Sequence, residues 1–141
     1  MSLDEAIRLT EILLGLALVQ QSIEHVKSFR NEQFIFIPRL ILALLLIAGF
    51  YTPWVMGMIL LTGLAMLNRF QGPYNGGSDR MGLLVICCLL LSHLAPTYYW
   101  REVAFAYLAI QLVLSYFISG WVKIINPDWR SGQALNDVFA F

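Results

Sequence analysis

The residues best placed to do chemistry gather where an apolar stretch gives way to a loop. In "YFISGWVKIINPDWRSGQAL", residues 116–135, the ammonium of Lys123 stands at the boundary. Gln111, Ser115, Ser119 and Lys123 step by four, and Tyr116 and Gly120 fall on nearly the same face. A helix here would carry a polar stripe on a lipid-soluble surface. A lysine at the end of a span can snorkel to the interface as an anchor. A partly buried one loses protonated character and can act as a base. Spacing leaves both roles open.

Two further clusters have the right chemistry. Gln20, Gln21, Glu24 and His25 lie within two turns, with Gln20 and Glu24, and Gln21 and His25, each at i, i+4. They form either a polar helix end bonded to its neighbours or a proton-handling or ligand-binding wall. In "PYNGGSDRM", Asn75 and the two glycines make a tight turn, and Ser78 or Asp79 can cap the helix that follows. With Arg80 beside it and Arg69 close in sequence, that helix start also suits a carboxylate or another anion. The two histidines, His25 and His93, stand far apart without a metal-ligand spacing, so no metal is expected. No serine-nucleophile, P-loop or dinucleotide motif is present. Cys87 and Cys88 are adjacent inside "LLVICCLLL" and read as apolar filler.

The elements that must hold these residues are membrane helices. The 141 residues are 59% hydrophobic and only 13% charged, with a mean hydropathy of +0.70, against about 25% charged in soluble domains. The formal net charge of zero gives no field to recruit nucleic acid. Apolar segments run over about residues 7–26 and 34–50, then from Pro53 to about 67, then over 81–95 and 103–124. The fold expected is an all-α integral membrane protein. It is a single domain over 1–141, a bundle of about five transmembrane helices with a short amphipathic C-terminal tail. Four spans are the alternative, because 40–67 could be one long kinked helix. Five spans place Lys27, Arg30, Arg39, Arg69, Arg80, Lys123 and Arg130 on one side, with only Arg8 and Arg101 opposite. Four spans leave almost no bias, so the positive-inside rule favours five. The start, "MSLDEAIRLTE", reads as lacking a cleavable signal. The expected location is the cell (inner or plasma) membrane, multi-pass.

The stretch 116–135 resembles the signature of vitamin K-dependent γ-carboxylase and its bacterial relatives, the HTTM membrane domain. The matching residues are Tyr116, Phe117, Ile118, Ser119, Gly120, Lys123, Trp129 and Gly132. "YNGGSDRMGLL" is similar to the family's second signature, an Asn-rich turn entering a helix. A weaker similarity runs to the small DoxX and MauE membrane proteins, which share a Ser-Gly-x-x-Lys helix end. The resemblance implies that Lys123 is the base that deprotonates a quinol lying in the bilayer. Gly76 and Gly77 stand where the family's enzyme has a histidine, and Val122 where it has a second lysine. It therefore speaks more for a carboxylase-like fold than for carboxylation.

Three functional expectations follow. The first is a membrane module binding a quinone or lipid-like ligand for redox or peptide-modification chemistry. Lys123 would be its base, and Gln21, Glu24, His25, Arg69, Asn75, Asp79, Arg80, Tyr116, Ser119 and Trp129 would form the surrounding site. The second is a non-catalytic subunit of a larger membrane complex, or a homo-oligomer. It is suggested by small residues such as Gly57, Gly63 and Ala65, which let helices approach. A small transporter or channel ranks third, since no internal repeat is visible.

Overall fold

The computed structural model describes residues 1–28, 33–69 and 78–140. The side chains of Lys27, Ser28, Asn68, Arg69, Ser78, Asp79 and Val138 lie outside the description. Among the described residues there are seven helices and no strand. They are α1 (Leu3–Ser28), α2 (Gln33–Ala48), α3 (Thr52–Arg69), α4 (Ser78–Leu94), α5 (Tyr98–Ile125), α6 (Pro127–Arg130) and α7 (Gln133–Phe139). The chain divides into two compact units, Met1–Leu108 and Ala109–Phe141.

The first unit is built on four buried stripes with the three-and-four spacing of packed helices. On α1 the stripe is Ile7, Glu11, Leu14, Leu18 and Ser22; on α2 it is Phe36, Arg39, Ala43 and Leu46. Val55, Met56, Ile59 and Met66 supply it on α3, and Ile86, Leu89 and Ser92 on α4. Successive helices pack on each other, and α1 also meets α4, which closes the ring. Two glycines set close approaches. A Cβ on Gly15 would lie 2.6 Å from Ile47 Cγ1 and 3.3 Å from the carbonyl of Ala43. On Gly63 it would lie 2.7 Å from Leu83 Cδ2. Gly57 has nothing within 4 Å, so it serves no such approach in this unit.

The stretch 40–67 is two helices rather than one kinked helix. Gly49, at φ 82°, ends α2, and its amide donates to the carbonyls of Leu45 and Leu46 at 3.0 and 3.1 Å. Tyr51, at φ 45°, then turns the chain into α3, where Pro53 sits in the first turn, a position that needs no amide hydrogen. Pro38 lies inside α2, which continues past it.

Length and composition qualify two helices to cross a membrane, Leu3–Val26 and Tyr98–Ile125. Gln33–Ala48, Thr52–Leu67 and Arg80–Leu94 are shorter apolar helices. The longer α5 buries only Leu108 and exposes Tyr107, Ile110, Val113, Tyr116, Phe117 and Trp121, among others.

In the second unit, α5 gives way to a capped turn. Asn126 precedes Pro127 and accepts the amide of Asp128 at 2.9 Å, which starts α6. Gly132, at φ 81°, leads from α6 into α7.

Candidate functional site

Among the described residues a polar network joins α1, α2 and α4 of the first unit, and it centres on Glu11. This residue sits eight positions into α1, about 12 Å along its axis, on the buried stripe. It is 1% exposed. An ionised carboxylate in such a place is costly unless paired and hydrogen-bonded. Here both oxygens are engaged. Arg8 Nη1, one turn earlier, donates to Oε2 at 2.8 Å. Oε1 meets Nε2 of His93, which α4 brings in from its last turn, 82 residues away in sequence.

Arg8 does a second job. Its Nη1 also donates to the carbonyl of Leu46 at 2.9 Å, and Nη2 donates to that of Ile47 at 2.5 Å. These carbonyls belong to the last turn of α2, where helical partners run out and the helix dipole favours a cation. The guanidinium lies against Gly49, whose added Cβ would come within 3.0 Å of Nη2. One arginine therefore fastens α1 to the end of α2 while it neutralises Glu11.

Beside this network opens a cavity of about 270 Å³, lined by Asp4, Ile7, Arg8, Glu11, Gly49, Thr52, His93 and Arg101. Arg101, in the first turn of α5, donates from Nη2 to Asp4 Oδ1 at 2.5 Å. Its Nε is buried and has no hydrogen-bond partner among the described residues. Tyr51 and Trp54, next to Thr52, and Tyr98, Tyr99 and Trp100, next to Arg101, are all exposed. Aromatic residues of this kind concentrate where a membrane meets water.

Most of these residues escaped the reading of local spacing. Glu11 falls inside the first apolar segment, residues 7–26, without a local partner pattern to single it out, and His93 is marked only as a histidine without metal partners. A usable signal existed: Glu11 shares the stripe of Ile7, Leu14 and Leu18, and a carboxylate on a core stripe needs a partner.

The clusters picked out from sequence are placed as follows. Gln20 Nε2 donates to Glu24 Oε1 at 3.1 Å, as the i, i+4 spacing implies. His25 Nδ1 lies 2.9 Å from the backbone carbonyl of Gln21, and its ring stacks on Phe36 with centroids 4.4 Å apart. Glu24 is exposed. Asn75 lies outside the described residues, as do the side chains of Arg69 and Asp79. Arg80 is exposed at the start of α4. In the second unit the unbroken α5 keeps Ser115, Ser119 and Lys123 on one face; these three and Tyr116 are exposed. The Lys123 ammonium sits 4.8 Å from the centre of the Trp129 ring, a cation–π contact that folds α6 back on the end of α5.

Arg39 is a buried cation on α2, donating to Thr62 Oγ1 at 3.0 Å and, more weakly, to the carbonyl of Ile59 at 3.4 Å. Among the described residues no three His, Cys, Asp or Glu side chains gather to hold a metal ion. No protein-family model, curated protein or solved structure matches the chain.

Proposed function

We propose that this is a multi-pass protein of the cell membrane in which α1 to α5 all cross the bilayer. In this reading the cavity beside Glu11 receives the polar head of a lipid-soluble molecule, a quinone or a lipid. The observation that carries the proposal is the paired carboxylate of Glu11, held inside an apolar helix at the wall of a cavity. Ionisable groups within membrane helices are costly, and they mark ligand or proton sites more often than bare scaffolding. The apolar surface left open on α1 and α5, the aromatic residues beside the cavity, and the grouping of basic residues under a five-span topology support the membrane setting.

The experiment is purification in a mild detergent, followed by solvent extraction and mass spectrometry of what remains bound. A quinone or lipid should be retained in fixed stoichiometry and lost in Thr52→Trp, which fills the cavity. Equal retention by both proteins would contradict the proposal.

The resemblance of residues 116–135 to the carboxylase signature supports a distinct role for Lys123 as a base. The unbroken helical register of its polar face is compatible with that role. Lys123→Ala should then abolish quinol oxidation, and unchanged oxidation by a folded variant would end the assignment.

A second reading, an accessory subunit or homo-oligomer, is favoured by the exposed Phe117, Trp121 and Ile124 of α5. A monodisperse monomer in mild detergent would count strongly against it.

A further inference from the structure

The polar cavity has more hydrogen-bond donors than acceptors, and the excess sits on one residue. Both oxygens of Glu11 are taken, by Arg8 and His93. Arg8 is committed to Glu11 and to the carbonyls of Leu46 and Ile47. Arg101 is different. A guanidinium has five N–H donors in a planar fork. Among the described residues only Nη2 of Arg101 meets an acceptor, the largely exposed carboxylate of Asp4, while Nε is buried without one. The cavity thus presents an under-used arginine fork, with a second guanidinium and an imidazole also on its wall. A planar fork of this kind fits an oxyanion through paired hydrogen bonds.

We infer that the cavity binds an oxyanion, a phosphate or carboxylate, with Arg101 as its anchor and Asp4 as an internal competitor for the same guanidinium. This rests on the ligand reading above and specifies the chemistry of the head. Two sources share that chemistry: the headgroup of an anionic lipid and a free small anion. The exposed Trp100 and Tyr99 beside Arg101 place the anchor in an aromatic setting suited to a headgroup. The pair Asp4–Arg101 acts as a latch. Asp4 holds the guanidinium when the cavity is empty and is displaced when a stronger acceptor arrives.

The test uses the purified full chain in a non-ionic detergent and three probes: dioctanoyl phosphatidic acid, dioctanoylglycerol and inorganic phosphate. Binding is followed by tryptophan fluorescence and by the rise in melting temperature. The phosphatidic acid should bind at least about tenfold more tightly than the neutral dioctanoylglycerol, as expected of a charge-assisted bidentate contact. Arg101→Gln should erase that preference, while Arg130→Gln on α6 should leave it intact. Asp4→Asn, at a largely exposed position where folding is not at stake, should tighten phosphatidic acid by about two- to fivefold by releasing the fork. Saturable binding of inorganic phosphate that needs Arg101 and matches phosphatidic acid would assign the site to a free anion and still support the oxyanion. Equal affinity for the charged and neutral lipids, or an Asp4→Asn variant that binds phosphatidic acid no better, overturns the inference and leaves the ligand reading standing. Binding of no probe also overturns the inference, while the ligand reading stands or falls by the mass spectrometry of the retained molecule.

Discussion

Two glutamates on the same helix have opposite fates. Glu11 and Glu24 stand thirteen residues apart on α1, about 20 Å along its axis. Glu24 is exposed and bonded to Gln20 one turn away. Glu11 is buried and fixed from two sides, by Arg8 on its own helix and by His93 from α4. The helix treats both positions alike; what differs is the surroundings. A local i, i+4 pair in solvent contributes only a few tenths of a kcal/mol. A carboxylate on the packed stripe must be met by groups from other elements, and its presence constrains where those elements lie.

Substitution separates the two positions. Glu11→Ala strands His93 and leaves Arg8 short of a counter-charge. It should lower stability by about 3 kcal/mol, less than for a fully enclosed pair because both partners reach solvent. Glu24→Ala should stay within about 0.5 kcal/mol. Thermal unfolding in detergent, followed by circular dichroism, measures both, and equal losses would break the contrast. Gly49→Ala should rank next, at about 1–2 kcal/mol, because φ 82° is strained for a side chain and the new Cβ presses on Arg8. If the substitution acts through Arg8, the loss should shrink when it is made in an Arg8→Ala background. Gln20→Ala should be the smallest, at about 0.2–0.5 kcal/mol, and nearly the same in high salt, because the Gln20 amide carries no charge to screen.

The same contrast explains what could be read from the chain. Helix content followed from hydropathy, because an apolar run needs no knowledge of its neighbours. Pro53 suited the first turn of a new helix, but one kinked helix over 40–67 stayed open until Gly49 and Tyr51, both at positive φ, showed the break between α2 and α3. The contact of Gln20 with Glu24 lay within one turn and so was visible. His25 is instructive in the other direction. Its bond goes to the backbone carbonyl of Gln21, and its ring is held by Phe36 of α2, a stacking that the spacing on α1 does not encode. The Glu11–His93 pair was hidden because it joins helices remote in sequence. Arg8 was hidden for another reason: its acceptors at Leu46 and Ile47 are carbonyls, which every residue carries. For Lys123, the four-residue spacing located the helical face, whereas the ring of Trp129 beneath its ammonium became visible only once α6 was in place.

The central claim is that Glu11 and His93 are directly bonded across the bundle. A double-mutant cycle of Glu11→Gln and His93→Gln tests it most directly, with stability read from thermal unfolding of the four proteins. A coupling of about 1–3 kcal/mol is expected, with each single substitution costing most of what the pair costs together. Additive losses, with coupling below about 0.3 kcal/mol, would show that the two side chains do not share a bond and would contradict the account.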